Sequence, residues 1–210
     1  MTDPVPEPRV LDRGVARKQA FLHAAREVFL EHGYEAASVN EVVRRAGGSL
    51  ATLYSQYGSK EGLFQAVARD QQERFMTQLA PLDYTGLPLE DGLRRLGERF
   101  LDVVLHPDNL AFFRIAVGEG RNRPHLLRRY LSISHDKVRE ALIEYMRSKP
   151  AQNGARVLDP ESAAAHFFHI VRGGLHYKSV YDSEFVLSPE ERHAHVADSV
   201  RFFLNGALER

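Results

Sequence analysis

The chain has 210 residues, 43% hydrophobic and 27% charged, which is the balance of an ordinary globular protein with enough length for a full core. It has no cysteine, and that removes disulfides, thiolate zinc sites and cysteine nucleophiles together. Lys and Arg number 28 against 28 Asp and Glu, so no net charge draws the chain toward nucleic acid and any basic surface must be local. The N-terminal Met-Thr-Asp-Pro-Val-Pro-Glu-Pro lacks the apolar core of a signal peptide, and no apolar run approaches the roughly 20 residues of a membrane span. A cytoplasmic protein that does not use the membrane is the expectation.

In chain order, residues 1–14 carry three prolines and little periodicity, and read as a mobile arm. Residues 15–32 form a first helix, with Ala20, Phe21, Ala24, Ala25, Val28 and Phe29 on a core face. His32-Gly33-Tyr34 closes it with a glycine cap and an apolar contact.

Ser38 to Glu41 has the Ser-x-x-Glu form of a capping box opening a short helix, whose Val39, Val42, Val43 and Ala46 face inward. Asn40, Arg44 and Arg45 are left for solvent or a partner. Gly47-Gly48 stops this helix. Ser49 caps a second, running to Tyr57, and Gly58-Ser59 ends it and starts a third at Lys60. Two short helices across a tight glycine turn have the pattern of a helix-turn-helix, whose second helix enters the DNA major groove. The local basic surface would come from Arg44, Arg45 and Lys60, with Arg9, Arg13, Arg17 and Lys18 on the arm side and Arg9 and Arg13 in reach of the minor groove.

The stretch from Ser38 to Phe64, with Leu53-Tyr54 and Ser59-Lys60-Glu61, resembles the DNA-binding module of the TetR family of repressors. Ala24 to Tyr34 matches that family's first helix. The resemblance covers about the first third of the chain and departs at Gly48, Leu50 and Tyr57, where a small aliphatic, a polar residue and Phe are usual; Gly48 is expected to loosen the turn. It implies an all-α fold: a flexible arm at 1–14, a helix-turn-helix domain at 15–64, and a ligand-binding and dimerisation domain at 65–210. It also implies DNA contacts from Ser38, Asn40, Arg45, Ser49, Leu50, Ala51, Thr52, Tyr54, Ser55, Gln56 and Lys60. Of these, Ser38, Tyr54 and Lys60 are expected on phosphates, and Asn40, Leu50, Ala51 and Thr52 at base edges.

From Lys60 a longer helix runs to about Leu79, starting under the helix-turn-helix and ending in whatever follows. Residues 81–88 are a loop by Pro and Gly content. Periodic segments then cover 89–105, 108–120, 124–148, 160–181 and 189–208, with a break at 149–159. Nothing reads as a strand.

Arg172-Gly173-Gly174 falls inside the fourth of these segments, where each glycine costs roughly 1 kcal/mol against alanine. Either another backbone approaches closely, or the helix kinks to shape a cavity. The resemblance favours the first, a homodimer through the last two long helices, with Gly173, Gly174, Val196, Val200, Phe203 and Leu204 in the interface. The aromatics Phe100, Phe112, Phe113, Phe167, Phe168 and Tyr177, with Val104, are expected to line a cavity for a mostly apolar small-molecule effector. Arg114, His169, Arg172 and His176 would orient it. The second reading is a helical metal sensor or binding protein using His166, His169 and His176, since i, i+3 spacing puts two imidazoles on one face. No cysteine and no close carboxylate accompanies them on that helix, so no metal and no cofactor are expected. Neither a nucleophile elbow nor a phosphate-cradling glycine loop is present, and no enzyme activity is expected.

Overall fold

The computed structural model describes residues 10–79, 86–132, 136–149, 157 and 159–207, and the described elements are all helices. They are α1 (Val10–Ala36), α2 (Val39–Ala46), α3 (Leu50–Tyr57), α4 (Lys60–Leu79), α5 (Leu89–Val104), α6 (Pro107–Glu119), α7 (Pro124–Ser132), α8 (Asp136–Ser148), α9 (Pro160–Arg172), α10 (Leu175–Tyr181) and α11 (Pro189–Ala207). The chain packs as two units. The first takes residues up to Gln71 together with Ile115–Leu131; the second takes Gln72–Arg114 and Ser132 onward. α4 and α6 therefore each have one end in either unit.

In the first unit, Phe21, Ala25, Val28 and Phe29 of α1 meet Val42, Leu53, Leu63, Phe64 and Val67 in a core with almost no solvent access. The local stops are the glycines. Gly47 takes the left-handed conformation (φ 66°, ψ 37°) and its N–H bonds the Val43 carbonyl, closing α2. Gly58, at φ 74°, closes α3 on the Tyr54 carbonyl. The Ser49 hydroxyl accepts from the Thr52 N–H at 3.1 Å, and the Ser59 hydroxyl from the Gly62 N–H at 3.0 Å, so both serines cap the helices that follow them.

Two local expectations are corrected. The arm expected over 1–14 shortens, because Val10–Arg13 already belong to α1; residues 1–9, with Arg9, lie outside the described residues. The capping box at Ser38 does not form: Ser38 makes no side-chain cap, and the Glu41 carboxylate turns to Arg44 and Arg45 instead. A reciprocal box forms at α11, where the Ser188 N–H donates to Glu191 at 2.9 Å and the Glu191 N–H to the Ser188 hydroxyl at 3.1 Å.

The core of the second unit runs from Phe75 and Leu79 at the end of α4 through Leu93, Leu96 and Leu101, Leu142, Phe167 and Val171, to Val196, Val200 and Phe203. Gly97 lets α5 lie close to α11, since a Cβ there would stand 2.9 Å from Val196 Cγ1. The segment expected as one helix over 160–181 is two. Gly173 adopts φ 47°, ψ −144° and ends α9, and α10 restarts at Leu175. The Val171 carbonyl near the break accepts a hydrogen bond from the His195 ring at 2.7 Å. The segment at 124–148 likewise divides into α7 and α8. Most of the expected loops 81–88 and 149–159 lies outside the described residues.

Candidate nucleic-acid interface and effector region

α3 buries Leu53 completely, half-buries Tyr57 at its end and turns the rest outward. Leu50 is 39% and Tyr54 45% exposed, and Ala51, Thr52, Ser55 and Gln56 are exposed with them. Ser49 and Thr52 hold each other through their hydroxyls at 2.8 Å. Ser38 and Asn40, at the start of α2, are also exposed. The helix is thus anchored through Leu53, with Tyr57 at its end, and offers a face of an apolar, a phenolic and several hydroxyl or amide groups, the side-chain types that reach base edges and phosphates.

The cations around it are less free than the sequence suggests. Arg45 forms a two-pronged pair with Glu31, both contacts at 2.7 Å, and its Nε donates to Glu41 at 2.8 Å. Arg44 donates to the same Glu41 at 2.8 Å. The two guanidinium groups hold the Glu41 carboxyl down to about 2, and Arg45 in turn lowers Glu31. Arg44 and Arg45 are therefore tied to carboxylates rather than left for a partner, although the Arg44 side chain keeps 72% of its surface exposed. Arg17 is spent on the Gly47 carbonyl at the α2 cap. Lys60 donates to the Glu35 carbonyl at 2.8 Å, with its ammonium 5.0 Å from the centre of the Tyr34 ring. Of its three donors, two remain after that bond.

Two of the unusual residues now have reasons. A Cβ on Gly48 would fall 2.4 Å from Phe21 Cζ, so the ring occupies the space a side chain would fill and the turn is tight, not loose. The Tyr57 ring meets Phe21 edge-on at 6.4 Å, and its hydroxyl donates to the Lys18 carbonyl at 3.3 Å, tying the end of α3 to α1.

In the second unit the expected pocket aromatics other than Tyr177 are buried or half-buried. Phe112 and Phe167 are fully buried, Phe100 is nearly so, and Phe168 packs on Phe100 at 4.8 Å and on Phe167 at 5.3 Å between ring centres. Val104 is partly buried against the same cluster, His169 is exposed and accepts from Arg172 at 3.1 Å, and Tyr177 is 51% exposed. A cavity of about 370 Å³ lies where the α5–α6 corner meets the end of α10, the 182–187 loop and the start of α11. Leu101, Leu105, Leu110, Phe185 and Leu187 form its apolar wall, with Arg114 and the Asp102–Arg192 ion pair among its polar groups. None of the seven residues expected to line a pocket borders it; of the four expected to orient the effector, Arg114 does.

His176 is the buried member of the histidine set, 4% exposed, while His166 and His169 are exposed. Among the described residues no three His, Asp or Glu side chains converge as a metal site. Of the expected interface residues, Val196, Val200 and Phe203 are buried in the protomer's own core, and Phe203 packs on Phe167 at 5.3 Å. Leu204 packs partly against that core, and the space at Gly174 is open. The large apolar groups facing outward on α10 and α11 are Tyr177, Tyr181 and Phe202, the last two 83% and 71% exposed.

Residues 21–67 match the family model of the bacterial regulatory proteins of the tetR family, and residues 91–206, over half of the chain, match the C-terminal domain of AefR-like transcriptional repressors. The chain belongs to the TetR family. It is a DNA-binding transcriptional regulator, and proteins of this kind are not enzymes. Its sequence is 41% identical over 68 residues to the transcriptional repressor ComR of Escherichia coli strain K12, which is 32% of this chain and 30% of ComR. It is 33% identical over 90 residues to the transcriptional activator FasR of Mycolicibacterium smegmatis, 43% of this chain and 41% of FasR. These matches span less than half the length of either relative. Among solved structures, the flavonoid-responsive regulator FrrA superposes with a TM-score of 0.74 at 28% identity, over 94% of this chain and 99% of that one.

For a TetR-family chain, sequence reasoning found the α3 face and missed much of what surrounds it. The acidic partners of Arg44 and Arg45 were visible as residues, but Glu31 sits on another helix, and no periodicity links it to Arg45. Adjacent phenylalanines on a helix give no local sign of which one faces in; here Phe203 is buried and Phe202 is exposed. No helix among the described residues is long and apolar enough to cross a membrane.

Proposed function

We propose that this regulator acts in the cytoplasm as a homodimeric repressor: two copies of α3 read a near-palindromic operator, and a small, mostly apolar molecule bound in the second unit releases it. The observation that carries the DNA reading is the α3 face, where Leu53 alone is buried and Leu50, Ala51, Thr52, Tyr54, Ser55 and Gln56 are offered together. Leu50 cannot hydrogen-bond, so its partner on DNA is a thymine methyl. Tyr54, Ser38 and the remaining donors of Lys60 suit phosphates, while Asn40 and Thr52 suit base edges. Arg45 drops to the margin of this surface, because its carboxylate pairs would have to open first.

Dimerisation is assigned to the outward faces of α10 and α11, with Tyr177, Tyr181 and Phe202, in place of the buried Val196, Val200 and Phe203. A two-fold dimer then presents its two α3 helices about one DNA turn apart, or a multiple of it. ComR supports repression and FasR shows that relatives also activate. FrrA, by its name responsive to flavonoids, supports control by a small organic molecule.

Selection of bound fragments from a random DNA pool, followed by gel shifts, tests this reading. The expected result is an enriched near-palindrome whose affinity falls when one contacted thymine is replaced by uracil, which lacks only the methyl. Failure to enrich any sequence would sink it.

A further inference from the structure

The His176 ring on α10 is packed into the second unit, 4% exposed, but its buried Nδ1 makes no hydrogen bond there. Leaving a buried nitrogen unpaired is costly, and an apolar residue of similar size would avoid that cost. The ring sits in an aromatic setting: Phe113 of α6 meets it edge-to-face at 4.6 Å and Tyr177 at 5.9 Å. Burial first, then the charges of Arg172 and Arg114, hold its pKa down to about 4, so at neutral pH it is an uncharged imidazole with one donor and one lone pair.

The two guanidinium groups shape what can approach. Arg114 donates its Nε to the Val180 carbonyl at 2.8 Å and a terminal nitrogen to the Ser179 carbonyl. A terminal nitrogen of Arg172 is turned to His169. Both therefore lend positive potential more readily than a free two-pronged donor. Arg114 and Ser179, one residue beyond Phe113 and one turn beyond His176, also border the 370 Å³ cavity. That volume lies within the roughly 300–1,000 Å³ of small-molecule sites.

We propose that the seam between α6 and α10 is the polar end of the effector site and that it takes a phenol, whose hydroxyl donates to His176 Nδ1 while its oxygen lies in the field of Arg172 and Arg114 and its apolar remainder occupies the neighbouring cavity. An ammonium would meet two guanidinium charges. A carboxylate needs paired donors, which Arg114 has already given to backbone carbonyls. A phenol needs one acceptor and gains from a positive surrounding. The proposal rests on the second unit binding a small-molecule effector, as set out above.

Calorimetric titration of the full chain with four matched probes tests it: biphenyl-4-ol, 4-methoxybiphenyl, biphenyl-4-carboxylate and 4-(aminomethyl)biphenyl. Biphenyl-4-ol is expected to bind about tenfold or more tighter than its methyl ether, which cannot donate, and tighter than the acid and the amine. His176→Phe is expected to erase the phenol–ether difference while leaving the ether's affinity within about threefold, and His176→Gln, which keeps an acceptor, to retain part of it. Circular-dichroism melts establish that each variant folds; should His176→Phe not fold, the wild-type series and His176→Gln decide. No binding of biphenyl-4-ol, equal affinity for phenol and ether, preference for the carboxylate, or an unchanged ratio in a folded His176 variant overturns the proposal. Gel shifts without probe are run in parallel. An intact shift with failed discrimination removes this proposal alone, whereas a lost shift counts against the wider reading and leaves the calorimetry to decide this one.

Discussion

Arg123, in the turn between α6 and α7, lies over the ring of Tyr34 at the end of α1, 4.9 Å from its centre, and pairs with Glu35 beside it. Glu119 holds the same guanidinium at 2.6 Å, and His125 reaches Glu61 at 2.9 Å. Arg123 belongs to the stretch matched by the C-terminal family model, yet it packs in the unit that carries α3. The same Tyr34 ring receives the Lys60 ammonium. Arg114, which borders the cavity, and Arg123 lie nine residues apart in the same stretch of chain, so coupling of an effector to DNA binding through this stretch is a prediction that substitution can test.

Arg123→Ala is accordingly expected to spare operator binding without effector and to blunt release. Mutations along such a route alter coupling by about 2- to 30-fold. Operator affinity measured with and without a releasing molecule gives the ratio, and an unchanged ratio would exclude Arg123 from the route.

Gly48→Ala is expected to destabilise the first unit, because the new Cβ would collide with Phe21 Cζ and the buried ring has little room to yield. Overpacking of this kind costs roughly 1–3 kcal/mol. Adding Phe21→Leu should recover part of the loss. Chemical denaturation of the two single variants and the double variant reads the coupling, and strict additivity would show that the ring and the turn are independent.

The two adjacent phenylalanines of α11 separate assembly from folding. Phe202→Glu is expected to give a folded monomer that loses the full operator, since Phe202 is 71% exposed. Phe203→Glu should unfold the second unit, because its ring is 4% exposed and packs on Phe167. Sedimentation and circular dichroism on both variants distinguish the outcomes. A Phe202→Glu protein that stays dimeric would move the interface elsewhere.

Lys60→Met should lower operator affinity for all sequences alike and reduce the slope of log affinity against log salt by about 1. An unchanged slope would mean that the Glu35 carbonyl bond is its whole role.

Acidification should find His176. Its pKa in the folded chain, about 4, lies below the ordinary 6.5. Above 6.5 neither state is protonated and the group is neutral toward stability. Between 6.5 and about 4 the unfolded chain takes up a proton that the folded chain refuses, so stability falls as pH falls; below about 4 the loss from this group is complete. His176→Phe is expected to flatten stability across that window in denaturation curves at pH 7 and pH 5. Equal slopes in both proteins would place the titration elsewhere.

Features that depend on a few consecutive residues were legible in the chain alone. The left-handed stop at Gly47 and the caps at Ser49 and Ser59 are set within one or two helical turns. The helix-turn-helix was legible for that reason, and so was the order of helical segments, although 124–148 and 160–181 each divide into two helices. Tertiary structure decided the rest. Glu31 captures Arg45 from 14 residues away, Phe21 fills the space above Gly48, and His195 takes the Val171 carbonyl near the break at Gly173. An apolar stripe states that a helix is buried, but not against what. The Phe100–Phe168 cluster therefore closed into core while a cavity opened at Arg114, and Phe202 rather than Phe203 was left facing out.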